Sequence, residues 1–394
     1  MWPDNRVLDL LGVELPIIQA PMAGAVLSDM VVAVSEAGGL GSLPCALLSF
    51  EQARGELEVI RRKTSRPINV NFFCHQQPPN DPASEMRWRR RLDSYYIELG
   101  LDNNTADRSS NLTPFDDKMC DLVAEFHPEV VSFHFGLPEK NLLARVRSAG
   151  AKIISSATMI DEARWLEDQE CDAIIAQGYE AGGHSGMFLK RDVSTQIGTM
   201  ALVPQIVDAV RVPVIAAGGI ADARGIVAAF ALGASAVQIG TAYLLCPEAK
   251  ITAVHRQVLR KSKDNGTVVT NVFTGRPARV IVNRLIHEVG PMSDDAPEFP
   301  LAAGALLPLR LKAETAGSRD FTRLWSGQAA RLSQELPAAR LTKLLAEETL
   351  EKLRFLGAQT EHWITASKIS LGAVCRDHPL SESRPTCTLT STPD

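Results

Sequence analysis

The stretch Ala-Gly-Gly-His-Ser-Gly at 181–186 sets one histidine, His184, among glycines that include Gly182. Such a loop packs poorly into a core, and functional side chains concentrate on loops held over a rigid scaffold. An imidazole there can move protons near neutral pH or, as a cation, hold an anion. Two further glycine turns suit different chemistry. Ala-Ala-Gly-Gly-Ile-Ala-Asp at 216–222 delivers Gly218 and Gly219 into a helix-like stretch, where bare N–H groups and the helix dipole favour a phosphate. Gln238, Ile239, Gly240 and Thr241 follow at the end of the next apolar run, and Thr241 adds a hydroxyl donor. Either turn alone could simply reverse the chain; the two in succession point to a phosphate site.

These residues need elements that bring them together. Short apolar runs at 17–20, 40–43, 68–71, 130–133, 152–155, 173–176, 214–217 and 236–239 read as strands. Helix-like stretches at 28–37, 50–63, 116–126, 139–148, 160–168, 199–210 and 222–232 lie between them. Ser28 and Asp222 are good N-cap types, and Gly38, Gly150 and Gly233 stand where helices end. Eight strand–helix units predict an α/β fold, a TIM (β/α)8 barrel, with its site at the C-terminal strand ends. Those ends carry Met22 within 20–24, Asn71, His75, His134, Gln177 and the two glycine turns. His134 is a candidate to line the pocket and meet substrate, and His75 resembles it, although a lone histidine in an aromatic run is more often structural; the other five histidines carry no signal.

The barrel is expected over 1–248, a helical C-terminal lobe covering it over 249–365, and a disordered tail over 366–394. Helical stretches are expected at 249–262, 300–316 and 327–355. Two insertions interrupt the rhythm. The first, 76–114, holds a helix-like segment at 84–99 and then a polar, Asn-rich loop; the second is the glycine-rich loop 178–196.

Exclusions narrow the chemistry. Of 394 residues 45% are hydrophobic and 22% charged, and the net charge is −5. No basic excess favours nucleic acid, so the partners are expected to be small molecules. The first residues do not read as a signal peptide and no apolar run reaches membrane-spanning length, which predicts a cytoplasmic protein, monomer or homodimer. The seven cysteines contain no C-x-x-C pair, so neither a disulfide framework nor a zinc site is suggested. No lysine, carboxylate pair or metal-ligand set stands at the strand ends, which disfavours Schiff-base, glycosidase and metal chemistry. A phosphate site without such groups suggests a cofactor that carries its own reactivity. FMN is the candidate, with Asn71, Gln177 and the backbone at 20–22 toward its ring and ribityl chain.

At these residues the sequence resembles the nitronate monooxygenases, class I. The resemblance runs through QAPMAG 19–24, NVNFFCH 69–75, VVSFHFGLP 130–138, IAQGYEAGGHSGMF 175–188, PVIAAGGIADARGI 213–226 and ALGASAVQIGTAYLLCPEA 231–249. FTGRPAR 273–279 and WSGQ 325–328 extend it. It implies a TIM barrel with tightly bound FMN that oxidises alkyl nitronates, typically propionate 3-nitronate, with dioxygen to a carbonyl product and nitrite. It places the catalytic histidine at His184 and flavin contacts at Asn71, Gln177, Gly182, Gly219 and Gln238 to Thr241. By this resemblance His184 binds or polarises the nitro oxygens of a nitronate, or serves as general base toward a neutral nitroalkane. The family often has arginine after that histidine; here it is Ser185, which bears on anion affinity. Two rivals stand beside this reading: a flavin reductase of quinones or enoyl thioesters on the same barrel, and a flavin-free barrel that binds a sugar phosphate.

Overall fold

The structure is a computed structural model in which residues 2–79, 81–102, 112–262 and 266–374 are described, residues 360–374 by backbone alone. Eight parallel strands form its centre: β1 (Ile17–Gln19), β2 (Gly41–Pro44), β3 (Ile68–Phe73), β4 (Val130–His134), β5 (Lys152–Ala157), β6 (Ala173–Gln177), β8 (Val214–Ala217) and β9 (Ala236–Ile239). They are hydrogen-bonded in the order β1-β9-β8-β6-β5-β4-β3-β2. The ring closes between β1 and Leu40: Gln19 N donates to Leu40 O at 3.0 Å and Leu40 N to Ile17 O at 3.0 Å. The sheet is therefore the expected TIM barrel.

Both faces of these strands are covered, so they read as continuous apolar runs rather than alternating ones. Ile18, Val130, Ile154, Ile175, Ile215 and Ala236 form one buried cluster with Val7, Leu11 and Val13, from the short helix Arg6–Leu11 and the turn after it. Asp222 caps the helix Ala223–Ala231 as expected, accepting from Arg224 N and Gly225 N. Ser28 does not cap: it is the first residue of the helix Ser28–Glu36, whose N-cap is Leu27, and its N–H is met by Glu56 from the next helix. A tertiary carboxylate has replaced the local cap.

The remaining strands form a small antiparallel sheet in the order β10-β11-β7, with β7 (Gly183–His184), β10 (Thr267–Thr270) and β11 (Ala278–Ile281). His184, expected on a free loop, thus pairs with Ala278 in a strand. The first insertion forms the helix Pro82–Glu98, capped by Asp81. Its Trp88, Leu92 and Tyr96 share a core with Val272, Phe273 and Leu309, the last from the helix Ala302–Thr315. The Asn-rich residues 103–111 lie outside the described residues. The expected helix at 249–262 is shorter, Ala253–Arg260, and that at 327–355 starts later, at Ala338.

Among the described residues, those up to Thr349 make one compact unit and those from Leu350 a second. The first contains the barrel and the elements up to residue 349 that sequence reading set apart as a lobe. In the second, the helix Ala338–Val374 continues past residue 366, and residues 375–394 lie outside the described residues. Among the described residues no helix is long and apolar enough to cross a membrane.

Candidate active site

A cavity of about 370 Å³ opens at the C-terminal ends of the barrel strands. Met22, Asn71, His134, Gln177, Gly182, His184, Gly218, Gly219, Gln238, Gly240 and Thr241 all line it. Ile239 does not. Its side chain is fully buried, and strand alternation turns it away from the face that Gln238 presents. His75 is also outside the lining, buried edge-on against Phe299 with ring centroids 4.9 Å apart.

The loop carrying His184 is held from several sides. Gln177 Nε2 donates to His184 O at 3.1 Å and Gln177 Oε1 accepts from Gly186 N at 2.6 Å. This amide, expected to face a flavin, is largely engaged with the loop backbone. Arg276 donates to Met187 O, and Arg279 grips Tyr179 O through two nitrogens at 3.0 and 2.9 Å. Glu180 holds the N-terminus of the helix Thr199–Ala209 through Thr199 N and Oγ1. Ser185 Oγ donates to Gln196 Oε1 at 2.8 Å, so it is turned along the loop.

His184 Nε2 lies 3.0 Å from Thr274 Oγ1. Phe73, Phe135, Phe299 and Trp325 surround the ring with centroids 6.1, 5.9, 5.3 and 5.2 Å away. Next to it His134 bridges Ser156 Oγ at 2.6 Å and His184 O at 3.2 Å. Burial holds His184 well below the usual imidazole value, and the neighbouring guanidiniums of Arg276 and Arg323 add to the depression, as His134 and His75 would wherever they are protonated. Burial likewise pushes His75, His134 and His255 down to about 4. These imidazoles are neutral in the folded protein at pH 7.

That has a consequence for stability. On His75, His134 and His255 the unfolded chain binds protons near pH 6.5, the folded one only near pH 4. Acid therefore favours unfolding, and the stabilisation present above pH 6.5 is lost as the pH falls through that window. The melting temperature should fall steeply between pH 6.5 and 4, steeper than in a His134→Gln His255→Gln variant. Parallel slopes would remove this explanation.

Positive charge enters from residues that sequence reading passed over. Arg310 and Arg323 line the cavity and form no ion pair among the described residues; Arg310 Nε is buried without a partner. Burial and the neighbouring Arg310 push Arg323 down to about 10. Arg276, 4% exposed, lies over the Phe135 ring at 3.8 Å and is pushed down to about 9 by burial. His255, judged to carry no signal, lines the cavity and meets Trp325 O at 3.1 Å. Only the FTGRPAR and WSGQ stretches hinted that residues so far along the chain reach the barrel mouth.

Gly218 and Gly219, in the same lining, take positive φ of 108° and 71°. A side chain on Gly218 would crowd Thr199 Oγ1 and Ala181 N, and one on Gly182 would overlap the backbone of Ser326 and Gly327. Thr241 Oγ1 accepts from Gly327 N at 2.9 Å and keeps its own proton to donate. Gln238 Oε1 is a buried acceptor with no partner. An orphaned acceptor is costly unless a ligand donor meets it. Bare-backbone turns, a free hydroxyl and an orphaned acceptor on one cavity suit a phosphorylated ring system such as FMN. One detail differs from the sequence expectation. Asp222 takes the N–H groups of Arg224 and Gly225, so a phosphate here would rest on the turns and not on those helical donors.

Comparison with known proteins places the whole barrel in one family. Residues 4–348 match the family described as nitronate monooxygenase. A nitronate monooxygenase of Pseudomonas aeruginosa is 39% identical over 346 residues, 87% of this chain and 99% of that protein. A probable nitronate monooxygenase of Staphylococcus aureus is 38% identical over 341 residues, 86% of this chain and 95% of that protein. Among solved structures, nitroalkane oxidase from Streptomyces ansochromogenes superposes with a TM-score of 0.82 at 37% identity, covering 89% of this chain and 99% of that one. FabK from Thermotoga maritima superposes with a TM-score of 0.69 at 29% identity, covering 90% and 98%.

Proposed function

Because the chain belongs to the nitronate monooxygenase family and is an oxidoreductase, we propose that it is an FMN-dependent enzyme oxidising small alkyl nitronates with dioxygen to a carbonyl product and nitrite. The observation that carries this reading is that His184 and both glycine turns line one cavity. Gly218, Gly219, Gly240 and Thr241 would hold the phosphate, and Met22, Asn71 and Gln238 the ring and ribityl chain. Bound there, FMN would supply the electron acceptor for the nitronate and the means of passing electrons to dioxygen. The chain's own groups do the rest. The aromatic wall of Phe73, Phe135, Phe299 and Trp325 limits water around His184. His184 binds the nitro oxygens. Arg310 and Arg323 favour an anion, and a substrate with a second negative group, such as propionate 3-nitronate, uses both cations.

Arg323→Gln should raise KM for propionate 3-nitronate by about tenfold or more, and change KM for an uncharged alkyl nitronate far less. Equal effects on the two substrates would detach Arg323 from the carboxylate. The test of the function itself is a visible spectrum of the pure protein, then propionate 3-nitronate with nitrite detection. A flavin spectrum and nitrite release are expected. A colourless protein would favour a sugar-phosphate barrel; flavin bleaching by NADH without nitronate would favour a reductase.

A further inference from the structure

Thr274 is 1% exposed, so its hydroxyl proton needs an acceptor close by. Two acceptors are near: His184 Nε2 at 3.0 Å and Arg276 O at 3.4 Å. Only the first lies within ordinary hydrogen-bond length. Arg276 N, at 3.5 Å, is on the donor side and supplies none. The neighbouring histidine has the same wiring with a fixed sense. His134 Nε2 faces His184 O, which can only accept, so that nitrogen carries the proton and Ser156 Oγ donates to Nδ1. In each pair a buried hydroxyl feeds one ring nitrogen and the other nitrogen donates onward. For His184 the other nitrogen is Nδ1. It has no hydrogen-bond partner among the described residues, and His184 itself lines the cavity.

We propose that Thr274 is a positioning residue that donates to His184 Nε2 and so fixes the Nδ1–H tautomer, making His184 a hydrogen-bond donor to an anionic nitronate and a poor base toward a neutral nitroalkane. This rests on the nitronate reading above. The need for it follows from the field around the ring. Burial disfavours an imidazolium, as do Arg276 from the turn before β11 and Arg323 from the segment before Trp325; His134 from β4 and His75 from the end of β3 would oppose a second charge beside their own. A neutral imidazole has a single N–H, and it holds an anion only if that N–H points at it. Thr274 is itself held. Asn271 O accepts from Thr274 N at 3.3 Å and Gly275 N at 2.7 Å, Gly275 has φ 87°, and a side chain on Gly275 would overlap Pro297 O and the Glu298 backbone.

The test joins nitrogen NMR of histidine-labelled protein with kinetics of Thr274→Val and Thr274→Ser; His184→Asn assigns the resonance. The wild type should show Nδ1 protonated and Nε2 bare. Thr274→Val should raise KM for propionate 3-nitronate about tenfold or more with kcat changed less than about threefold, and Thr274→Ser should restore KM, as expected for a hydrogen bond to a charged group. A protonated Nε2 in the wild type, an unchanged KM in Thr274→Val, or no recovery in Thr274→Ser would each overturn the proposal. If the wild type releases no nitrite from any nitronate, the functional reading fails, while the NMR result still decides the tautomer.

Discussion

His184→Asn should leave the flavin bound and lower kcat/KM for a nitronate by ~10²-fold or more, the usual effect of removing one donor aimed at developing or resident negative charge. The expectation follows from which residues would do what. His184 stands among aromatic rings with Thr274, while the glycine turns that would hold a phosphate are at 218–219 and 240–241. Asparagine keeps a polar group but is too short to span from the Thr274 hydroxyl to the space that Nδ1 faces. The loop should survive, because Gln177 grips the backbone of residues 184 and 186 and not the imidazole. The measurement is nitrite release alongside the flavin absorbance of the purified variant. Turnover equal to wild type would end the assignment of His184; loss of both flavin and activity would mean that the loop, and not the imidazole, had been disturbed.

The parts of this site that could be read from sequence share a property: they depend on neighbours in the chain. All eight barrel strands were legible because two-sided burial writes itself as short apolar runs. His184 and the paired glycine turns were legible because glycine around a polar residue has few structural uses. Orientation was not. Ile239 lies between two cavity residues, yet alternation along β9 turns it away. Gln177 lines the cavity as expected, but its clamp on the loop backbone could not be read from the chain. Arg310, Arg323 and His255 stand in the cavity only because segments after residue 248 fold back over the barrel mouth, and nothing in their local sequence says so; Thr274 had only the FTGRPAR resemblance to point to it. Ser28 shows the same limit at a helix start, where Glu56 met an N–H that a side-chain cap was expected to meet.

Glu162 is the strongest case of a residue without a sequence signal, and its replacement should cost the most stability. It opens the helix Ile160–Asp168 and is fully buried. Its Oε2 accepts from Thr158 N at 2.7 Å and Thr158 Oγ1 at 2.8 Å, and its Oε1 from Phe188 N at 2.5 Å and Leu189 N at 3.1 Å. One carboxylate therefore ties the end of β5 to the returning limb of the loop that carries His184, and its charge also offsets that of buried Arg276. Glu162→Ala would strand four donors and leave Arg276 without that compensation. Breaking such a buried charged network costs ~3–5 kcal/mol. Alanine is the better helix former, so the helix itself gains slightly and cannot account for a loss. Glu162→Gln keeps one acceptor oxygen but turns an amide N–H₂ toward two of the donors, and should fall between alanine and wild type. Thermal melts and flavin content of the three proteins decide the matter. The expected order is wild type, glutamine, alanine, with flavin lost before the fold. An alanine variant that melts within about a degree of wild type would show that the loop is held without Glu162, and the anchoring of His184 would then rest on Gln177 and the pairing with β11.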